Sequence, residues 1–148
     1  MESTGQVLQV LKGLLVVCRA SESGFLSAAN AVSSNTASEI LHGYADQRRA
    51  FAEELRTVLR FHAGDWYDAT PPAASIAGFP FSEGNVNTRE IVRECERAEE
   101  AMSRVYEDAL SRKCPWDVYE VLSNQYKQIE EALHFFRMFV QIHQPVAA

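Results

Sequence analysis

Apolar residues recur at alternating three- and four-residue spacings in four stretches of this chain, the pattern of amphipathic helices that turn one stripe toward a common centre. The first stretch carries Leu8, Leu11, Leu15, Cys18, Phe25, Ala29 and Val32 and predicts a helix over about 5–32. The second carries Leu41, Tyr44, Phe51, Leu55 and Val58 and predicts a helix over about 37–61. The third has Ile91, Cys95, Ala98, Met102, Val105 and Ala109, with Glu99 and Tyr106 on its flank, over about 89–110. The fourth has Leu122, Tyr126, Ile129, Leu133, Phe136 and Val140, over about 115–142. Ser3 with Gln6, Thr36 with Glu39 and Asn87 with Glu90 have the spacing of capping boxes, and Pro115 suits a first turn. Gly64 and Pro145 follow the second and fourth helices as stop signals.

Of the twelve glycines and prolines, six (Gly64, Pro71, Pro72, Gly78, Pro80 and Gly84) fall between His62 and Asn87. That stretch, about 62–87, reads as one long crossover between helices two and three. Short turns make helices one and two antiparallel, and likewise three and four. A crossover of about 26 residues can climb the bundle, so that helix three runs parallel to helix two. The expected fold is all-α: one four-helix-bundle domain over 1–148 in up-down-down-up order, the ferritin-like connection. Trp66, Tyr67, Phe79 and Phe81 in the crossover are expected to pack along the bundle or in a dimer interface.

Composition narrows the function. The chain has 148 residues, 47% of them hydrophobic and 23% charged, enough to build one core. Fourteen Lys and Arg stand against 20 Asp and Glu, a net charge of −6. That balance excludes the basic footprint of a nucleic-acid partner and of adhesion to anionic membrane. No apolar run approaches a membrane span. Leu14-Leu15-Val16-Val17-Cys18 outlines a lipoprotein cleavage site only faintly: Val17 is bulky before the cysteine, and Lys12 follows Glu2, so no signal peptide is expected. Three cysteines (Cys18, Cys95, Cys114) without a C-x-x-C pair suit buried or inert thiols in a reducing cytoplasm, with no disulfide between Cys18 and Cys95. No phosphate loop, dinucleotide fingerprint or nucleophile elbow is present. The expected partners are a second copy of the chain or another protein.

Two residues break the stripes: Glu22 in helix one and Arg48 in helix two. Glu22, Arg48, Glu99 and Glu130 all fall about 10 to 12 residues from the same bundle end, within roughly one turn of each other. Buried charges need partners. Two arrangements satisfy them. One is a carboxylate site for iron or manganese, with Glu22, Glu99 and Glu130 as ligands. The other is an ion-pair network in which Arg48 holds Glu22 and Glu99, its guanidinium standing where a metal cation would. The histidines favour the network. Glu39 with His42 and Glu131 with His134 have Glu-x-x-His spacing, yet these four residues point about 120° to 180° away from their stripes. Tyr44, Tyr106 and Tyr126 are core residues with polar tips near the layer. Gly13, Gly24 and Gly43 lie inside helices, where close helix approach would rationalise them.

Glu22-Ser23-Gly24-Phe25, Phe51-Ala52-Glu53-Glu54-Leu55, Glu94-Cys95-Glu96-Arg97-Ala98-Glu99 and Gln125-Tyr126 with Ile129 and Glu131-Ala132 follow one another in an order that resembles a bacterial family of ferritin-like four-helix-bundle proteins of unknown function. The resemblance spans about residues 5–140. It implies the ferritin-like fold and no established activity, and it would add Glu96 and Glu131 to the candidate ligands. Members of that family carry a histidine where this chain has Leu133. The expected function is that of a non-enzymatic interaction or structural protein without a cofactor. The alternative is an iron or manganese protein with an oxidative or iron-handling role.

Overall fold

The computed structural model describes residues 4–63 and 87–143. They form four α-helices, α1 (Thr4–Ala31), α2 (Asn35–Ala63), α3 (Thr88–Leu110) and α4 (Trp116–Ile142), with no strand among the described residues. The predicted crossover, apart from His62 and Ala63 in α2 and Asn87 before α3, lies outside the described residues. So do its four aromatics, Ser3, Gly64 and Pro145.

Local chemistry sets the helix ends. Asn87 Oδ1 accepts from the Glu90 amide at 2.9 Å, the predicted cap of α3. The predicted cap of α2 shifts by two residues. Ser34, not Thr36, accepts the Ala37 amide on its hydroxyl oxygen at 3.2 Å, and its carbonyl accepts the Ser38 amide at 2.9 Å. Ser34 wins because the turn after α1 is only Val32-Ser33-Ser34. The Ser38 hydroxyl then donates to the Ala29 carbonyl at 2.8 Å and ties α2 back to α1. Pro115 adopts φ −56° and ψ 151° ahead of α4, and its carbonyl takes the Tyr119 amide at 3.0 Å.

α1 packs most extensively on α2 and α3 on α4, with further contacts of α1 on α3 and of α2 on α4. The core divides in two. One cluster holds Leu11, Leu15, Cys18, Phe51, Leu55, Leu59, Met102, Tyr106, Leu122 and Ile129 among others. The second holds Phe25, Ala29, Leu41, Ala45, Ile91, Cys95, Ala132 and Phe136 among others. On every helix the change from one cluster to the other falls at the level of Ser21, Arg48, Glu99 and Glu130. Burial of each large apolar side chain contributes about 1.5–3 kcal/mol, so both halves have their own hydrophobic drive.

The structure corrects the predicted helix phase in two places. In α1 the buried row runs through Leu14, Ser21 and Ala28 as well as Leu15 and Ala29, and Glu22 is only half-buried. The sequence pattern hid this because both flanks of the Leu11–Cys18–Phe25–Val32 row are apolar, and only the 21/22 step tells them apart. In α3 the buried face carries Glu99 and Tyr106, whereas Val105 is 40% exposed and Ala98 is half-buried. Two polar-tipped residues displaced two small apolar ones because they find partners inside.

Close helix approach does not account for Gly13 and Gly43. Both are exposed, and a Cβ built at either meets nothing within 4 Å. Glycine inside a helix is less favourable than alanine by about 1 kcal/mol. Gly13→Ala and Gly43→Ala should therefore each raise unfolding stability by about 0.5–1 kcal/mol, additively because the sites are far apart. Urea titration checks this: the midpoint should rise with an unchanged slope, and a fall in either variant would show that the glycine has a structural task.

Candidate functional site

Arg48 is the largest fully buried side chain among the described residues. α2 places it between the two apolar clusters, and each of its three nitrogens has an acceptor. Nη1 donates to Glu99 Oε1 at 2.6 Å, to Ser21 Oγ at 3.2 Å and to Met102 Sδ at 3.0 Å. Nη2 donates to Glu99 Oε2, and Nε donates to Gln47 Oε1 at 3.1 Å. The pair is thus bidentate, the arrangement that best matches guanidinium to carboxylate. Above and below, the guanidinium carbon lies 5.1 Å from the Phe25 ring centre and 5.4 Å from that of Phe51, one ring from each apolar cluster.

Glu99 is 1% exposed. Burial raises its carboxyl above the ordinary range, and Arg48 offsets that rise only in part. The sequence placed four charges in one layer, and the structure brings only Arg48 and Glu99 together as a buried pair. Glu22 stands one position further round α1. It pairs with Arg19 at 3.2 Å and Arg49 at 3.6 Å on the α1–α2 edge, so it is not the partner of Arg48. Glu130 is half-buried and accepts the Ser103 hydroxyl. Both Glu-x-x-His pairs, Glu39 with His42 and Glu131 with His134, lie exposed on the surface.

A second polar string runs beside the pair. The Tyr106 hydroxyl donates to Gln125 Oε1 at 2.6 Å, and Cys18 Sγ lies 3.3 Å from the same hydroxyl. Since the tyrosine proton goes to Gln125, the thiol is the donor to Tyr106. Gln125 Nε2 donates to the Phe51 carbonyl at 3.2 Å and to Glu54 at 3.3 Å. Tyr106 therefore meets Cys18 and Gln125, Tyr126 donates to Glu107 at 2.9 Å, and Tyr44 packs among Phe25, Phe135 and Phe136. The sequence reading did not place Ser21 at all, and it named Gln125 only within the family motif, with no inward role. Both are polar residues at positions that heptad spacing leaves ambiguous.

Iron or manganese would require several carboxylate oxygens converging on one point. Among the described residues no three His, Cys, Asp or Glu side chains converge in that way. The donors fit poorly besides: Glu99 faces a guanidinium, Glu130 a serine, and Glu22 two arginines. A groove of about 230 Å³ between α1 and α3, walled by Val17, Ala20, Ala98 and Met102, reaches Ser21 and Glu99 from outside. No helix among the described residues is long and apolar enough to cross a membrane. No protein-family model matches the sequence, and no curated protein matches it.

The three cysteines are free. Burial raises Cys18 to about 11 and Cys95 to about 12, whereas Cys114 is partly exposed and raised by burial and by nearby Asp117.

Two predictions follow from these environments. Removing one partner of the buried pair leaves an uncompensated charge, so Arg48→Met or Glu99→Leu alone should cost about 3–5 kcal/mol. The double variant Arg48→Met/Glu99→Leu should recover most of that loss in a denaturant double-mutant cycle. Costs that simply add would mean the two side chains act separately.

At pH 8 only about one Cys18 thiol in a thousand is ionised, so an aromatic disulfide reagent should titrate one thiol of the native chain, Cys114, and three after denaturation. Above the ordinary thiol value of 9.0 the unfolded chain loses protons that the folded chain keeps, so stability falls as pH rises toward 11. Rapid release of three equivalents from native protein would contradict the burial.

Proposed function

We propose that this chain is a non-enzymatic, ferritin-like helical bundle that works through its surface, toward a second copy of itself or a protein partner, and keeps a structural ion pair in its interior. The observation that carries this reading is the bidentate Arg48–Glu99 contact, which takes both oxygens of the fully buried acid. A guanidinium there does for the acid what a metal cation would do, without leaving it free to ligate.

The up-down-down-up connection is supported by cross-helix contacts. Cys18 meets Tyr106 and Ser33 meets Thr88, so α1 and α3 run in opposite senses. Gln47 donates to Gln128 and His62 bonds Asp117 at 2.9 Å, so α2 and α4 do too. That puts the starts of α2 and α3 at one end and calls for a connection climbing the bundle. A surface role is supported by Phe61 and Trp116, which are 79% and 74% exposed, with Trp116 stacked on Tyr119 at 5.7 Å. The His62–Asp117 bond brings the neighbouring Phe61 and Trp116 to one end of the bundle, and an apolar patch there is what a partner would cover.

Metal analysis of protein purified aerobically and incubated with ferrous iron or manganese tests the reading, with Glu22→Ala as control. We expect far less than one ion per chain and an unchanged melting temperature in both proteins. Stoichiometric metal in the wild-type chain that is lost in Glu22→Ala would overturn the proposal in favour of the carboxylate metal protein.

A further inference from the structure

The groove between α1 and α3 carries a polar group that the ion pair does not use. Ala20 on α1 and Ala98 and Ala101 on α3 leave room between the helices, and Val17 and Val105 extend the apolar walls around about 230 Å³. That is roughly the volume of seven waters, room for a polar head and a chain of about six carbons. Ser21 and Glu99 line the same groove, at 9% and 1% exposure.

Ser21 has a hydrogen-bond donor left unspent. Its Oγ accepts from Arg48 Nη1 at 3.2 Å, and among the described residues the hydroxyl makes no other hydrogen bond. A buried hydroxyl proton without an acceptor is costly, and the groove is the side from which an acceptor reaches it. Glu99 gives one lone pair on each oxygen to Arg48. A carboxylate has about four such sites, so it can take a further hydrogen from a neutral donor. The guanidinium and the carboxylate cancel each other's charge, and the other groove residues named here carry none.

We infer that this groove binds a small neutral molecule with a hydroxyl or carboxamide head on an apolar body of about six carbons. The head accepts from the Ser21 hydroxyl and donates to Glu99, and the body lies between Val17, Ala20, Ala98 and Val105. Walls without charge select an apolar body. A charged head is disfavoured because it would lose its water with no counter-charge to meet it, Arg48 and Glu99 having satisfied each other. This inference goes beyond the surface role proposed above and does not depend on whether the interior takes up metal.

Amide chemical-shift titration of the full chain with hexan-1-ol, and in parallel with hexanoate and hexylammonium, tests it. We expect hexan-1-ol to saturate one site per chain, with the largest shifts at the amides of residues 17–21 and 98–105, and both charged analogues to bind at least about tenfold more weakly. Ala101 is exposed on the outer wall, so Ala101→Leu fills the groove without touching the core. It should abolish the hexan-1-ol shifts and leave the urea midpoint unchanged. Ser21→Ala removes the donor but keeps the Arg48–Glu99 contact, and should weaken hexan-1-ol about fivefold or more. The inference is overturned if hexan-1-ol fails to saturate, if its shifts map elsewhere, if a charged analogue binds as well, or if either variant binds like the wild type. A groove already covered by the crossover or by a second copy would leave those amides unmoved, and that result overturns it too.

Discussion

One buried contact organises this bundle: the guanidinium of Arg48 against the carboxylate of Glu99, with Ser21 and Met102 as further acceptors on Nη1 and Gln47 on Nε. Taking two charges out of water costs several kcal/mol per ion, and their attraction repays it only when geometry and auxiliary hydrogen bonds are both good. Here both conditions are met, and two aromatic rings add their faces to the cation. The net gain in stability over a well-packed apolar layer is small. The gain in uniqueness is larger. The four seams are rich in Leu, Ala, Val and Phe, and such seams tolerate sliding by a heptad. A slide of about 10 Å along a helix would put the guanidinium among leucines, so the charge layer selects one register out of several greasy ones.

How far this was legible in the sequence follows from the same contact. Four helices and the Asn87 cap could be read from spacing alone, because a 3.6-residue period and an Asn-x-x-Glu pattern are local properties. The common height of Glu22, Arg48, Glu99 and Glu130 could also be read, since rise per residue is constant. The partner of Arg48 could not. Ser21 and Glu22 stand about 100° apart on one turn, and a row with apolar residues on both flanks leaves the inward one undecided. Arg19 and Arg49 settle it by holding Glu22 at the edge. In α3, Ala98 and Val105 looked like core by hydrophobicity, but Glu99 and Tyr106 had buried partners waiting on other helices. Such partners are non-local and invisible to periodicity.

The same limit applies to the sites. The matching height of Glu22, Glu99 and Glu130 suggested ligands, and the structure distributes those acids among arginines and a serine. A cavity of about 450 Å³ at one end of the bundle left no mark in the sequence, because Leu41, Val92 and Phe136 in its lining are ordinary core residues and Ser34, Thr36 and Thr88 are ordinary cap and first-turn residues. Only their meeting, on the opening turns of α2 and α3 and the closing turns of α4, makes a container of them.

The division of the core has a dynamic corollary. A continuous hydrophobic interior melts as a unit, whereas here two apolar blocks touch across a sheet of polar side chains whose bonds are directional. Any opening of the block around Phe25, Leu41 and Phe136 has to break directional bonds at an arginine that joins three helices before it reaches the leucine-rich block.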